Sequence, residues 1–546
     1  MIEELNEANK LLLAALERYQ KACSSLFNHS ERPLRILLSQ AHSDCVSNEL
    51  SSISAFEASI QQTRATVAQA RNLIRSFVPA NTLPEEIWGH IFSLVRDMQP
   101  CSLREKTRHD LKVARAWYPE LLSHVCSRWR RMAISLPTLW THIDLLPNHP
   151  HSTQLYSRGQ TFTSRGKNLP LSLHVDEHHD SMLDSYTDLG VFCTPLSARI
   201  ESLEVVWPHS ASYYRSLALR PCLAACKPGV LRELSLTDNF AIYKDIPIDE
   251  PAPVIDEPDS INWCLDLPKE FIEKLMAPVE KLSLSGLYFH WASQAYAGLT
   301  ELRLLPRDRG DVSLTISSSE LVQILASSPQ LRALHFGIMI HDTEPPSQLV
   351  PAQLNHLEIL DLRFNTHRAY PKFFPLLSPN TKPLQLSLAF LGTGSPLSSR
   401  RIKSFLQYSN ITRLYMDGGP LLIIWLPDLL KLLPNLQTLV LTNFDINEDR
   451  SKSPETARPP RPRHLETLRL LHCRIGISAL KKVTEIYPIR NLILWSCEYQ
   501  LPDGRFVVDL QGDREAYFVD SASEVRFIDT PPPDPDLIVE EWNPWE

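Results

Sequence analysis

From about residue 195 onward one apolar pattern, Leu-x-x-Leu-x-Leu, recurs through the chain. It is carried by Leu231-Leu234-Leu236, Val279-Leu282-Leu284, Leu299-Leu302-Leu304, Leu331-Leu334-Phe336 and Leu357-Leu360-Leu362. Ile411-Leu414-Met416, Leu436-Leu439-Leu441, Leu465-Leu468-Leu470 and Ile489-Leu492-Leu494 follow. Leu384-Leu386-Leu388 is a weaker copy, and Ile200-Leu203-Val205 a candidate first one. Strand side chains alternate between faces, so the last two apolar residues of each copy share a face and the residue between them points the other way. One such strand cannot bury its apolar face alone. A stack can, each copy covering the next, which restricts the chain to a repeated strand-and-connection architecture.

Counted from the middle leucine, successive copies lie 26 residues apart at 334 to 360, 25 at 414 to 439, 29 at 439 to 468 and 24 at 468 to 492. Motif and interval together resemble the leucine-rich repeat, whose period is roughly 20 to 29 residues. Asn239, Asn365, Cys473 and Cys497 stand three residues after the last apolar position, where that repeat places a side chain bonded to the turn backbone. Candidate helices Ser319–Ser327 and Ile477–Tyr487 separate copies, the second ending before Pro488. The resemblance implies an α/β fold: an irregular solenoid over 196–510, parallel strands lining a concave face and helices outside. A doubly wound α/β domain is the alternative, but it needs no Leu-x-x-Leu-x-Leu strand and usually carries a Gly-rich phosphate loop. The period breaks at Ile246–Asp259 and Asn447–Arg463, Pro-rich stretches that read as projecting loops. Residues 511–546 form an acidic, Pro-containing tail whose Trp542 and Trp545 are candidates for docking on the repeats.

Residues 1–78 hold almost no Gly or Pro apart from Pro33, and their apolar residues recur at helical intervals: Leu5, Leu12, Leu16 and Tyr19, then Ile53, Phe56, Ile60, Val67, Leu73, Ile74 and Phe77. Two helices or a helical hairpin follow from that. A coiled coil joining two copies as a homodimer is the alternative; the lack of a sustained heptad favours a hairpin. Residues 146–195 read as a connecting segment, with a strand at Leu171–Val175.

Between residues 79 and 145 lies a stretch too greasy and too small to be self-sufficient. Thr82 is placed to cap a helix with Glu85 at its third position and Pro84 in its first turn. Ile87, Ile91, Leu94 and Val95 form one apolar face, with Trp88 and Phe92 on an adjoining one. Further on come Val125-Cys126-Ser127-Arg128-Trp129-Arg130 and Leu139-Trp140. These three parts resemble the F-box, with Leu83-Pro84, Glu86-Ile87 and Ile91-Phe92 matching its opening helix, then its Val-Cys-x-x-Trp helix and its closing Leu-Trp. The stretch Asp97 to Tyr118 reads as an insertion of a kind common in fungal F-box proteins. The resemblance implies docking on a Skp-type adaptor, and through it a cullin-RING ubiquitin ligase, by Leu83, Pro84, Ile87, Ile91, Phe92, Val125, Cys126 and Trp129. A buried helix pair inside a larger core is the plainer reading of the same residues.

Charge and motif content bound the function. Formal net charge is −8 and no basic stripe stands out, which argues against nucleic acid or an anionic membrane surface as partner. Glu3, Glu4 and Glu7 occupy the place where a signal peptide needs positive charge, and no apolar run approaches a bilayer span, so an intracellular protein of cytoplasm or nucleus is expected. The 10 cysteines include no Cys-x-x-Cys pair, and Cys222 and Cys226 lack a second pair at ligand spacing, so buried thiols are expected. The best metal candidate, His174, Asp176 and His178 alternating along one strand, has no further ligands at recognisable spacing; a polar loop after the strand is the preferred account, and no metal or cofactor is expected. No phosphate-loop, Gly-x-Ser-x-Gly or His-Glu-x-x-His motif is present, so the expected protein is not an enzyme.

A non-catalytic substrate receptor is the resulting expectation, with a repeat scaffold acting outside a ubiquitin ligase as the alternative. The residue between the last two apolar positions of each copy supplies the expected substrate row: Arg303, His335, Asp361, Tyr415, Val440, Arg469 and Ile493, joined two positions on by Arg363 and Trp495. The row becomes more apolar and aromatic towards its C-terminal end, where interface hot spots are expected.

Overall fold

The computed structural model describes residues 2–30, 40–73, 79–98, 119–147, 151–176, 186–207, 212–238, 268–306, 315–341, 349–364, 369–379, 381–389, 400–422, 425–447, 465–500, 505–507 and 522–528. Most of both projecting loops, nearly all of the 97–118 insertion, His178, Asn239, Asn365, Trp542 and Trp545 lie outside these residues. The chain divides into two compact units, Met1–Trp88 and Gly89–Glu546.

The first unit is helical, as the Gly- and Pro-poor sequence requires. Helices α1 (Ile2–Ser30) and α2 (Gln40–Leu73) touch through Tyr19, whose hydroxyl donates to Glu49 Oε2 at 2.6 Å and whose ring meets Phe56 edge-on at 6.1 Å. Leu5, Leu12, Leu16, Ile53, Phe56, Ile60 and Val67 remain exposed. Thr82 does not cap the next helix, α3 (Glu85–Met98): its hydroxyl donates back to the Pro79 carbonyl within a short 3-10 turn, and the first α3 bond runs from Trp88 N–H to the Pro84 carbonyl.

In the second unit, α4 (Glu120–Val125) and α5 (Ser127–Ser135) lead into a large parallel β-sheet flanked by helices. Besides three short strands (Arg474–Gly476, Glu498–Gln500 and Phe506–Val507, the last two antiparallel to each other), its strands are β1 (His142–Leu145), β2 (Leu171–Asp176), β3 (Ile200–Trp207), β4 (Glu233–Asp238), β5 (Lys281–Ser285), β6 (Glu301–Leu305) and β7 (Ala333–Phe336). They continue as β8 (Ile359–Leu362), β9 (Leu384–Ala389), β10 (Ile411–Leu422), β11 (Thr438–Asn447), β12 (Leu465–Leu471), β13 (Ile489–Trp495) and β14 (Ala522–Ile528). Each pairs in parallel with the next in chain order, a sequential winding that differs from the doubly wound alternative, where order reverses.

Register follows the sequence motif. Ile143, Leu173, Leu203, Leu234, Leu282, Leu302, Leu334, Leu360, Leu386, Leu414, Leu439, Leu468, Leu492 and Val525 are aligned strand to strand. All of them from Ile143 to Leu492 are buried, so the middle apolar residue forms one continuous seam. The sheet begins before residue 196 and ends after residue 510, taking in strands from both the expected F-box closing segment and the expected tail.

Two further features repeat with the strands. Cys473 Sγ donates to the carbonyls of Leu441 and Leu471, both at 3.3 Å, and Cys497 Sγ to those of Leu470 at 3.2 Å and Trp495 at 3.4 Å. The three-residue offset therefore places a thiol donor against backbone carbonyls of the strands, Leu471 and Trp495 being the last residues of β12 and β13, rather than against the turn itself. Burial pushes the Cys497 thiol up to about 11 and Cys473 further. The position two after the last apolar residue is left-handed in five copies: Gly286, Gly418, Asn443, His472 and Ser496 have φ of 72°, 82°, 59°, 51° and 50°.

Two outcomes follow. Cys473 and Cys497 should resist alkylation by iodoacetamide at pH 8 in the native protein and react after denaturation, read by mass spectrometry, because a buried thiol has little thiolate. At Gly337, whose N–H donates to the Leu304 carbonyl, an added Cβ would stand 2.5 Å from Pro306 Cδ and 2.6 Å from Phe364 Cβ. Gly337→Ala should therefore cost about 1–3 kcal/mol in a urea melt.

Candidate functional site

Three places gather side chains with functional chemistry. The first is the helical segment before the sheet. Cys126 is extended (φ −158°, ψ 168°), which breaks the helix between α4 and α5, and its sulfur accepts from Trp129 N–H at 3.4 Å as the cap of α5. Trp129 meets Phe92 of α3 edge-on at 5.1 Å. Trp140, fully buried, donates from Nε1 to the Ala133 carbonyl at 2.8 Å, and Arg96 Nη1 to the Thr138 carbonyl at 2.9 Å, so the end of α3 and the close of α5 are both tied to the turn before β1.

Among the residues expected to meet an adaptor, the structure separates two roles. Phe92 is buried, Cys126 is a cap, and Leu83, Ile91 and Trp129 are half-buried; Pro84, Ile87 and Val125 are exposed. Four large apolar side chains of the second unit stand in solvent here: Leu94 at 48%, Leu121 at 49%, Val125 at 60% and Ile134 at 41% exposure. Leu121, Leu94 and Ile134 were not among the expected contacts; the spacing of an apolar face does not say which of its members a neighbouring helix covers.

The second place is the sheet face opposite the leucine seam. Arg303 pairs with Glu301 at 2.7 Å. Asp361, buried, accepts from Arg363 Nε at 3.0 Å and Nη2 at 2.7 Å and lies 3.2 Å from His335 Nδ1. Burial alone would raise the Asp361 carboxyl, but the Arg363 charge and the hydrogen bonds from His335 and Arg363 hold it below the usual carboxylate range. Arg363 also stacks over the Tyr415 ring at 5.1 Å.

Tyr415 and Val440 lie in the expected row but are buried, clustering with Leu471 and packed on by half-buried Trp495. Val440, a short side chain, sits in register between Tyr415 and Arg469 on the adjoining strands, whose longer side chains crowd it at the strand spacing. Burial, then the nearby Asp417, pushes the Tyr415 hydroxyl up to about 12. Arg303, Arg469, Ile493 and Trp495 keep partial exposure. The row thus splits into a charged, internally paired middle and an apolar later part that acts as a second core.

The third place was not legible as such in the sequence. His142 and Asp144 of β1 and His174 of β2 lie on one sheet face because Asp144 is in register with His174 and His142 with Ser172. His142 Nε2 is 2.9 Å and His174 Nδ1 3.5 Å from the same oxygen, Asp144 Oδ1, and His142 Nδ1 is 3.3 Å from Ser172 Oγ. Burial works to raise Asp144, but hydrogen bonds and charge from His142 and His174 hold it well below the ordinary carboxylate range. The alternation His174, Asp176, His178 pointed along one strand, whereas the groups that meet His174 come from the neighbouring one.

Among the described residues no helix is long and apolar enough to cross a membrane. No protein-family model matches the chain, and no curated protein is significantly similar to it.

Breaking the buried charge pair should be costly. Asp361→Asn keeps the shape but leaves Arg363 without its counter-charge, for an expected loss of about 3–5 kcal/mol in chemical denaturation, against under about 1 kcal/mol for the exposed pair partner Glu498→Gln on Arg474.

Proposed function

We propose that this chain is an F-box-type substrate receptor: residues 83–140 dock on a Skp-type adaptor, and a leucine-rich-repeat solenoid presents one concave sheet face to a protein substrate for a cullin-RING ubiquitin ligase. The observation that carries the reading is the exposure of Leu94, Leu121, Val125 and Ile134 on three short helices, while Phe92 and Met132 on two of them and Trp140 in the turn that follows are already buried. Exposed apolar side chains gathered on one segment are a mark of an interaction surface, and four fall here on consecutive helices. Exposure of Pro84 and Ile87 at the start of α3 supports the same reading, since the F-box resemblance assigns both to the adaptor.

On the sheet, the in-register leucines and the buried cysteines whose thiols bond neighbouring strand backbone support the leucine-rich-repeat assignment. Arg303, Arg469, Ile493 and Trp495, partly exposed, are then the expected substrate contacts, while Asp361, Arg363, Tyr415 and Val440 shape and stiffen the face. The chain itself performs no bond chemistry in this account. It acts by proximity, raising the effective concentration of a substrate lysine beside a loaded conjugating enzyme.

The expected outcome is measurable with purified parts. The wild-type chain should bind a Skp-type adaptor in a calorimetric titration. Leu94→Glu with Val125→Glu, both on exposed side chains that should leave the fold intact by circular dichroism, should weaken binding about 100-fold or more, given roughly 1.5–3 kcal/mol per large apolar side chain removed from an interface. A folded wild type that does not bind would instead favour a repeat scaffold working outside a ubiquitin ligase.

A further inference from the structure

The His142, Asp144 and His174 cluster plays no part in the receptor reading, and its geometry is that of a ligand set. Two imidazole nitrogens and a carboxylate oxygen converge, all within 4.8 Å of one another, on strands that are hydrogen-bonded neighbours. A first-row divalent ion sits about 2.0–2.2 Å from nitrogen and oxygen ligands, which spaces adjacent donors by roughly 2.9 to 3.5 Å for octahedral to tetrahedral angles. The two separations from Asp144 Oδ1, 2.9 Å and 3.5 Å, fall at the ends of that range, while the two imidazole nitrogens, held within 4.8 Å of each other, would draw together on binding.

Surroundings fit as well as spacing. Asp144 and His174 have side chains only 6% and 2% exposed, so the anionic donor and one imidazole are held in a dry site, while His142, at 39%, leaves one side open to solvent. The Ser172 hydroxyl, 3.3 Å from His142 Nδ1, can accept a proton from that nitrogen, so that an ion can take the place of the Nε2 proton now facing Asp144, the outer-sphere arrangement that orients histidine ligands. Imidazole with carboxylate is the donor set of zinc, iron(II), cobalt and nickel rather than of magnesium or calcium, which take oxygen alone.

We propose that His142 Nε2, Asp144 Oδ1 and His174 Nδ1 form a binding site for a divalent first-row transition metal, with at least one coordination position left to water. The site spans β1 and β2. Because β1 is the first strand of the sheet and β2 is its ladder neighbour, an ion there clips that edge to the next repeat, so binding should stabilise the fold as well as report itself spectroscopically.

The test uses the 546-residue chain stripped with a chelator, titrated with Zn2+ in a calorimeter and with Co2+ in an absorption cell. One equivalent should bind, Co2+ should develop visible bands of nitrogen and oxygen coordination, and the thermal midpoint should rise with Zn2+. His142→Ala, at a partly exposed position that packing tolerates, and the isosteric Asp144→Asn should each weaken binding at least about tenfold and abolish the thermal shift. His290→Ala, at an exposed histidine elsewhere in the sheet unit, should leave both unchanged. A folded wild type that takes up no stoichiometric ion, or one whose affinity survives both cluster substitutions, would show instead a cluster held together by protons alone and overturn the proposal.

Discussion

The lateral alignment of one apolar residue per strand governs the rest of this structure. From Ile143 to Leu492 the middle residue of each strand lies beside its counterpart on the next, and none of these side chains reaches water. No strand in such a stack has a core of its own; each is buried by its neighbours, so stability is shared along the ladder and depends on nearest-neighbour contact. In five copies the residue two after the last apolar position is left-handed, and at Cys473 and Cys497, three after that apolar position, a buried thiol bonds strand carbonyls.

Fixing one face of the sheet fixes what the other can present. Residues between the seam positions are brought into rows at the strand spacing, and chemistry then depends on which side chains become neighbours. In the middle of the row Asp361, Arg363 and His335 satisfy one another. Later, Tyr415 and Val440 close into an apolar cluster with Leu471 and Trp495. At the first strands the row places a buried carboxylate between two imidazoles. The same register thus produces an ion-pair brace, a second core and a candidate metal site at different points along one ladder.

Much of this was legible in the sequence, because the seam is written mainly in leucine at a spacing only a stacked strand explains. What escaped was written in other letters. The first strand is Trp140-x-x-Ile143-x-Leu145 and the last Ala522-x-x-Val525-x-Phe527, the same pattern with few or no leucines, so the sheet extends beyond the expected span at both ends. Trp140 serves there as both the close of the helical segment and the opening apolar position of the sheet. The left-handed turns at His472 and Ser496 carry no glycine to announce them. The His142, Asp144 and His174 cluster joins residues about thirty apart, which only the pairing register can reveal. Tyr415 and Val440 alternate with the seam residues along their strands, yet both are buried with Leu471, because lying off the seam does not by itself expose a side chain to water.

Helices α3, α4 and α5 stand apart from this logic. Their interior is closed by Phe92 against Trp129 and by Trp140 on the Ala133 carbonyl, while Leu94, Leu121, Val125 and Ile134 stay exposed among polar neighbours such as His90, His124, Arg130 and Arg131. In the proposed receptor those exposed apolar side chains are assigned to an adaptor. The most direct measurement of that claim is amide hydrogen exchange on the whole chain with and without a purified Skp-type adaptor. The account predicts added protection confined to peptides from 83–98 and 119–140, with the strands from 142 to 528 unchanged; an adaptor that leaves those helices exchanging as before would contradict it.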